Sequence, residues 1–288
     1  MTIFELVKIA LDELYGESQK VFGSEVDQEI KLRIDYLAAS YRNLNSSTRI
    51  PIDYNDPATR FAYVFKYVAA HGDYVVQVME ELRGKFGGKI FSEDTLRISC
   101  VGGGPGSEII AALKYLDTYK ASEPVKKIIC YLLDKEQAWA DTWTELDESL
   151  KSNLTVNVNF QPLDVTDVSS WQAQTRFLQA DLFTMSYFVS EVMSLDGSGK
   201  VSQFWEKLFA NAKQGALFLY VDNGNDGFNH YFDERWKNAK LECVLKESNV
   251  RMTPRSQEQA SELQMYRDKF GQSPKIQAIL SYRVLRKP

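Results

Sequence analysis

The stretch SCVGGGPGSE (residues 99–108) places four glycines between an apolar run, LRISCV (96–101), and a helix-like segment, SEIIAALKYL (107–116). This order predicts a strand, a tight turn and a helix. Glycine lets the backbone turn sharply and come close to a ligand. The start of the helix offers N–H groups that no backbone carbonyl occupies. The stretch therefore predicts a ligand-binding loop at the carboxyl end of a strand.

Beyond this loop, apolar runs alternate with helical segments along the chain. Further strands are predicted at 126–133, 156–163, 180–188 and 215–223, and helical stretches are predicted after the strands at 96–101, 126–133 and 180–188. Such alternation predicts an α/β fold in which crossover helices join parallel strands. The last two runs, 241–248 and 275–287, have no clear crossover between them and are predicted to pair antiparallel.

Residues 1–94 are predicted to form a helical N-terminal cap, and residues 95–288 the ligand-binding domain. Apolar residues recur at helical spacing in 3–14 and 30–37. The tripeptide Asn55-Asp56-Pro57 is a helix start signal, because a capping side chain precedes a proline in the first turn. The helix that follows is predicted to continue to about Gly87.

The composition is typical of a globular protein, with 44% hydrophobic and 25% charged residues and no apolar run near the length of a membrane span. The first residues predict an amphipathic helix and not a signal peptide. The protein is therefore expected to be soluble and intracellular, in the cytoplasm or the nucleus. Cys100, Cys130 and Cys243 are too far apart for a disulfide framework or a zinc site and are expected to be reduced and buried. Two histidines cannot build a histidine-rich metal site, and no metal is expected.

Charge is distributed unevenly along the chain. The net charge is −5, but residues 233–288 hold twelve basic and seven acidic residues. A basic C-terminal part could contact a phosphate-bearing substrate such as RNA. Since no run of basic residues is dense, a solvated surface of mixed sign is the favoured interpretation. The sequence indicates neither an oligomeric state nor a membrane partner.

Two aspartates follow the next predicted strands in chain order. Asp134 ends the run YLLD, where its carboxylate could accept two hydrogen bonds from a ribose diol. Asp164, in LDVTD, is positioned to hold an adenine amine, with the Val165 N–H donating to the ring. Taken alone, Asp164 would more often be a turn or capping residue. The glycine spacing also matters, because Ser107 falls where a dinucleotide loop needs its third glycine.

These segments resemble the class I S-adenosylmethionine-dependent methyltransferase superfamily, from about residue 96 to residue 287. The resemblance implies S-adenosylmethionine as cofactor and a seven-stranded sheet in the order 3-2-1-4-5-7-6, with the last strand antiparallel. The family usually has an acid two residues before the first loop glycine, where this chain has Cys100. Another group, with the N-terminal helices as the first candidates, is then expected to anchor the methionyl amino group. The resemblance rests on SCVGGGPGSE, YLLDKE, QPLDVTD, ADLFTMSYFVSEV and GALFLYVDN, and it implies cofactor contacts at Gly102, Gly104, Gly106, Asp134, Asp164 and Val165.

Candidates for the chemistry follow the fourth predicted strand. Residues at this place in the family normally face the transferring methyl group, and here they are Ser186, Tyr187 and Phe188. Ser186 is a predicted cofactor contact. Tyr187 is predicted to shape the methyl pocket or to stack on substrate, the alternative being a core aromatic. Glu191 is a candidate base, although a carboxylate early in a helix more often only favours the helix dipole.

The helix after Pro57 supplies a third group of candidates. Arg60, Tyr63 and Tyr67 recur at helical spacing. If this helix covers the cofactor, Arg60 could pair with its carboxylate, and Tyr63 or Tyr67 could pack near the sulfonium. The alternative, which the pattern favours, is an aromatic stripe packed against the sheet.

The sequence therefore predicts an S-adenosylmethionine-dependent methyltransferase that acts on a nitrogen or oxygen nucleophile of an RNA, a protein or a small molecule. Three alternatives remain open at this stage. One is a non-catalytic S-adenosylmethionine sensor or assembly factor, a reading that the missing acid at Cys100 supports. The others are an NAD(P)-dependent oxidoreductase and an enzyme that transfers an aminopropyl group from the same cofactor.

Overall fold

Seven strands form one mixed sheet in the part of the chain that the computed structural model describes, residues 3–42, 52–149, 153–255 and 263–288. Their order is β3-β2-β1-β4-β5-β7-β6, which confirms the predicted topology. The first five pair in parallel, while β7 runs antiparallel to both β5 and β6. The strands are β1 (Thr95–Val101), β2 (Lys127–Asp134), β3 (Thr155–Pro162), β4 (Leu182–Ser186), β5 (Leu217–Asn223), β6 (Glu242–Met252) and β7 (Ala278–Arg286).

Helices cover both faces of this sheet, and each face has its own buried apolar cluster. Parallel strands need such cover, because crossover helices lie on the faces that they join. The helices are α1 (Ile3–Phe22), α2 (Val26–Arg42), α3 (Pro57–Tyr63), α4 (Ala69–Lys85), α5 (Ser107–Thr118), α6 (Ala138–Ser149), α7 (Val168–Trp171), α8 (Val189–Val192), α9 (Lys200–Asn211), α10 (Asp226–Asn238) and α11 (Gln264–Phe270).

The N-terminal helices pack on one face of the sheet. Apolar residues of α1, α2 and α4 belong to the same buried cluster as residues of β1, β2 and β7. Helix α3 begins where the start signal predicts, since Asp56 accepts a hydrogen bond from the Ala58 N–H at 3.0 Å and Pro57 follows it. We propose that residues 1–94 act as a cap on a domain formed by residues 95–288, with which they share a core.

Some elements differ from the sequence-based expectation. The helix after Pro57 is interrupted by a π-helical segment, Val64–Val68, which shifts the register between Tyr63 and Tyr67. Strand β6 is longer than expected and carries two register shifts, and α11 lies in a stretch that carried no helical prediction. Cys100 and Cys130 are buried and free, as predicted, but Cys243 is exposed, because it lies on the edge strand β6.

The fold opens a crevice where neighbouring strands part. Pairing of β1 with β4 ends at Cys100 and Thr184, whereas pairing of β4 with β5 continues to Ser186 and Val221. Successive crossovers also change direction between β1 and β4, which makes this the topological switch point of the sheet. Ligands of open α/β sheets bind outside the carboxyl ends of the strands at such a point. Within the described residues, no helix is long and apolar enough to cross a membrane.

Candidate active site

The glycine loop crosses the carboxyl end of β1 and is fixed by backbone hydrogen bonds. The amides of Gly102 and Gly103 donate to the Leu133 carbonyl at 2.8 and 3.1 Å. Gly102, Gly104 and Gly106 have φ values of 66°, 43° and 80°, which side chains other than glycine rarely adopt. A Cβ atom at Gly102 would lie 2.1 Å from Phe188 Cδ2. Glycine is therefore required here by both conformation and space.

Asp134 is the last residue of β2, and backbone amides hold its carboxylate at the glycine loop. Its Oδ2 atom accepts from the Gly104 N–H at 2.9 Å, and its Oδ1 atom accepts from the Glu136 N–H at 2.9 Å. Burial raises the pKa of the Asp134 carboxyl to about 6, although these amides favour the charged form. Each carboxylate oxygen has two lone pairs, so both can still accept from a ligand hydroxyl.

Asp164 and Val165 follow β3 and line the same crevice. Asp164 Oδ1 accepts from the N–H and the hydroxyl of Thr166 at 2.8 and 2.6 Å, and the Asp164 N–H donates to Ser170 Oγ at 2.8 Å. These contacts fix a turn and orient the carboxylate. Asp164 thus combines the local turn role with a place in the crevice, which the sequence analysis treated as alternatives.

The crevice, here called the cleft, has about 1010 Å³ of empty space that is partly open to solvent. Aromatic side chains of Tyr54, Tyr63 and Trp139 line it, and the Tyr54 and Tyr63 rings lie 5.2 and 5.7 Å from the Trp139 ring between centroids. Four acids line the cleft with a single lysine, Lys135, among its described residues. The residues that line it are Ile52, Tyr54, Tyr63, Gly102, Gly104, Pro105, Asp134, Lys135, Glu136, Trp139, Leu163, Asp164, Val165, Thr166, Ser186, Tyr187, Phe188, Glu191, Val192 and Leu195.

The lining of the cleft fits a nucleoside cofactor that carries positive charge. Gly104 lies beside Asp134, and glycine is favoured there by its φ of 43°, since a Cβ would only make ordinary van der Waals contact with Asp134 Oδ2 at 3.8 Å. The Ser186 hydroxyl is buried and has no hydrogen-bond partner in the described structure. Aromatic faces and carboxylates together favour a cation. The residues present therefore fit S-adenosylmethionine, which has a ribose diol, an adenine, a sulfonium and an ammonium group.

Tyr187 lies at the end of β4 in a strained conformation. Its φ is 57°, and its N–H donates to the Val221 carbonyl at 2.7 Å. Its ring stacks on His71 with centroids 3.7 Å apart. Burial lowers the pKa of His71 well below its usual value, so the stacked imidazole is neutral at physiological pH. Helix α4 thus holds Tyr187 against the cleft, and His71 has a packing role.

The turn after Tyr187 is fixed by Asp222, the residue before the last of β5. Its Oδ2 atom accepts from the Ser190 N–H at 2.9 Å, and its Oδ1 atom accepts from the Asn223 N–H at 2.7 Å. Asp222 is fully buried, and burial raises the pKa of its carboxyl to about 6. Its contacts orient the segment that connects Tyr187 to Glu191.

Glu191 lines the cleft and contacts the N-terminal helices. The Tyr41 hydroxyl donates to Glu191 Oε1 at 3.0 Å and lies 2.7 Å from the Tyr54 hydroxyl. Burial, and secondly the charge of Glu191, raises the pKa of both tyrosines well above the usual value. Both hydroxyls therefore remain protonated, and because the Tyr41 proton is directed to Glu191, the Tyr54 hydroxyl donates to the Tyr41 oxygen.

Arg60 and Tyr67 do not line the cleft, which for Tyr67 agrees with the packed aromatic stripe that the sequence pattern favours. Arg60 is 5% exposed; its guanidinium pairs with Glu17 at 2.6 Å and donates to the carbonyls of Tyr54 and Asn55, each at 3.0 Å. It is absent from the cleft lining and fixes the segment that carries Tyr54. The π-helical segment turns Tyr67 behind Tyr63, where it packs on Tyr41 and His71. We therefore replace the carboxylate-pairing role of Arg60 with a positioning role.

Two aromatic residues that line the cleft, Tyr54 and Trp139, were not predicted from the sequence. Tyr54 precedes the helix start signal, and Trp139 lies five residues after Asp134 in the first turn of α6. The only available signal was proximity to predicted elements, since aromatic residues are common throughout this chain.

The basic residues of the C-terminal part are largely paired with acids. Half of the twelve form ion pairs, which agrees with a surface of mixed sign and not with a continuous basic stripe. The pairs are Arg235 with Asp196, Lys246 with Asp233, Arg255 with Glu80, Lys269 with Asp27, Arg283 with Asp233, and Arg286 with Glu242.

Comparison with known proteins gives a match to one family model. The model, described as "Putative SAM-dependent methyltransferase", matches residues 57–232, more than half of the chain. No curated protein matches.

Solved structures with similarity to the chain include the 16S rRNA methylase ArmA, at 11% identity and a TM-score of 0.44, over 88% of this chain and 98% of that one. The precorrin-6y C5,15-methyltransferase of Geobacter metallireducens GS-15 has 10% identity and a TM-score of 0.43, over 74% and 89%. The N-methyltransferase NodS of Bradyrhizobium japonicum WM9, in complex with S-adenosyl-L-homocysteine, has 9% identity and a TM-score of 0.41, over 87% and 97%.

Proposed function

The chain belongs to the S-adenosylmethionine-dependent methyltransferase family, and from that premise we propose that it methylates a nitrogen or oxygen nucleophile held in the cleft between Tyr187 and Glu191. The nucleophile belongs to an RNA, a protein or a small molecule. The observation that carries the proposal is that Glu191 lines the same cleft as Gly102, Asp134 and Tyr187.

We assign the cofactor to the half of the cleft formed by the ends of β1, β2 and β3. Asp134 accepts hydrogen bonds from the ribose diol, and Asp164 with Val165 holds the adenine. Tyr63, Tyr54 and Trp139 place aromatic faces near the sulfonium. When bound, the cofactor supplies an electrophilic methyl group on sulfur.

Tyr187 and Glu191 act on the acceptor side. Tyr187, fixed by the His71 ring and by its bond to the Val221 carbonyl, forms a wall that orients the nucleophile. A lone pair of the nucleophile would form the bond to the methyl carbon while the carbon–sulfur bond breaks. Glu191 would take the proton that the nucleophile then loses. The Tyr41 hydroxyl holds the Glu191 carboxylate in place.

The experiment that tests this proposal combines methyl transfer with cofactor binding. Purified protein and methyl-labelled S-adenosylmethionine are incubated with separate pools of RNA, protein and small molecules, and the labelled pool identifies the acceptor class. On that pool, Glu191→Gln is expected to lower the rate roughly 10²- to 10⁴-fold, the range of general base catalysis. Its affinity for S-adenosylhomocysteine should be unchanged.

Gln137→Glu serves as a matched control on the same surface, because Gln137 is exposed near the cleft but does not line it. Transfer by Glu191→Gln at the wild-type rate would remove Glu191 from the mechanism. Cofactor binding without label in any pool would favour the sensor alternative.

A further inference from the structure

Glu108 is a buried carboxylate that the sequence analysis did not use. It is the second residue of α5 and follows Gly106 and Ser107 directly. It is 3% exposed, which is unusual for glutamate, because burial of an unpaired carboxylate is costly. No Lys, Arg or His of the described residues forms an ion pair with it.

Topology places this carboxylate at the switch point of the sheet. Strands β1 and β4 separate after Cys100 and Thr184, so the β4 backbone beyond Thr184 has no partner on that side in the sheet. The Glu108 carboxylate accepts a hydrogen bond from the Ser186 N–H there. It therefore lies where β1 and β4 part, beside the cleft residue Ser186.

The surroundings of Glu108 are acidic or neutral on every side. Asp134 at the end of β2 raises its pKa electrostatically, and Glu108 in turn raises the pKa of Tyr63 from α3 and of Cys100 from β1. Burial is the largest cause and brings the pKa of Glu108 to about 8. No positive charge of the described residues pairs with the Glu108 carboxylate, and a bound cationic group could provide one.

Glu123 shows what a buried structural glutamate looks like in the same chain. It is 5% exposed, and its carboxylate accepts from the Ile90 N–H, the Phe91 N–H and the Tyr115 hydroxyl at 2.9, 3.1 and 2.6 Å. Three donors explain its burial. Glu108 instead has two backbone donors, its own N–H and that of Ser186, and the hydroxyl of the same Ser186 is buried and has no partner in the described structure.

We propose that Glu108 binds the ammonium group of the cofactor's methionyl part, in place of the acid that the family carries where this chain has Cys100. Cys100 is fully buried with its Sγ atom 3.7 Å from that of Cys130, so it offers no charge to this site. The inference rests on the proposed function. It places the group that binds the ammonium on α5, directly after the glycine loop. The sequence had indicated the N-terminal helices instead.

Two consequences follow for binding. An ammonium group favours the charged carboxylate, so binding below about pH 8 should release a proton from Glu108. Affinity for ligands with the amino group should rise with pH toward that value. A ligand without the amino group should show neither effect above about pH 7, where Asp134 is already charged.

The test is calorimetric titration with S-adenosylhomocysteine and with 5′-methylthioadenosine, which lacks the amino-acid part. Glu108→Gln should weaken S-adenosylhomocysteine roughly 10- to 100-fold, the effect of losing a charged hydrogen bond. Its affinity for 5′-methylthioadenosine should stay within about twofold of wild type. Titration near pH 7.5, where Asp134 is already charged and Glu108 is still mostly protonated, should show proton release for wild type with S-adenosylhomocysteine alone, in buffers of different ionisation enthalpy.

Glu123→Gln is the matched control, since it neutralises the other buried glutamate and should leave both affinities unchanged. The wild-type proton count decides the matter even if Glu108→Gln does not fold. Equal affinity of Glu108→Gln and wild type for S-adenosylhomocysteine, or equal proton release with both ligands, would overturn the inference. If wild type binds neither ligand, the proposed function fails as well.

Discussion

The two halves of the cleft are built in different ways. The cofactor half consists of a loop and two carboxylates that follow consecutive strands, and each is fixed by backbone amides a few residues away or on the adjacent strand. The acceptor half joins Glu191 of α8 to Tyr41 of α2, residues 150 positions apart, and stacks Tyr187 on His71 of α4. The polar contacts of the cofactor half are local and tied to the sheet, whereas those of the acceptor half depend on the N-terminal helices.

Because the two halves depend on different contacts, we expect that cofactor binding and methyl transfer can be perturbed separately. Changes at the strand ends should act on cofactor affinity. Changes in the contacts between the N-terminal helices and α8 should act on the rate of methyl transfer.

The largest expected effect is at the loop. Gly102→Ala places a Cβ 2.1 Å from Phe188 Cδ2 and imposes a φ of 66° on alanine. The left-handed conformation alone costs about 1–2 kcal/mol, and Phe188 must leave its place in the cleft. We expect the affinity for S-adenosylhomocysteine to fall by more than about 100-fold, with a lower melting temperature.

Gly197→Ala is the control for this variant, because a Cβ there would meet no atom within 4 Å. It should bind like wild type in the same calorimetric and melting measurements. Wild-type affinity in Gly102→Ala would mean that the loop is not part of the cofactor site.

The sequence was sufficient for the residues that follow strands in both halves of the cleft, and insufficient for Tyr54, Trp139 and the contacts of the N-terminal helices. Strand ends and glycine spacing predicted Gly102, Asp134 and Asp164, because crossover topology brings consecutive strand ends to one edge of the sheet. Helical spacing could not reveal that a π-helical segment turns Tyr67 away from the cleft.

Long-range contacts explain the remaining misses. Arg60 pairs with Glu17 across 43 residues, and Tyr41 meets Glu191 across 150. No pattern in the sequence indicates such partners, because they depend on how the N-terminal helices pack on the sheet. The same limit hid Glu108, whose burial follows from the separation of β1 and β4.

A smaller effect is expected from pH. Burial raises the pKa of Asp134 to about 6. Its charged form is the acceptor for the ribose diol, so affinity should be flat above neutral pH and fall as Asp134 becomes protonated. For 5′-methylthioadenosine, which leaves Glu108 unengaged, we expect roughly a tenfold loss between about pH 7 and pH 5. Asp134→Asn should bind weakly at every pH, and an unchanged pH profile in that variant would point to another titrating group.

The smallest expected effect comes from the link between α2 and α8. Tyr41→Phe removes the hydroxyl that contacts Glu191 and Tyr54 but keeps the ring. Loss of one positioning hydrogen bond should slow methyl transfer roughly 3- to 10-fold and leave cofactor affinity unchanged. Tyr36→Phe on the exposed face of the same helix is the control. A change in cofactor affinity with no change in rate would reverse the assignment.

The most direct test of two separable halves is one set of S-adenosylhomocysteine titrations into wild type, Asp134→Asn and Glu191→Gln. We predict one binding site per chain, at least about a tenfold loss of affinity in Asp134→Asn, and no more than about a twofold change in Glu191→Gln. Equal losses in the two variants, or wild-type affinity in Asp134→Asn, would contradict the account.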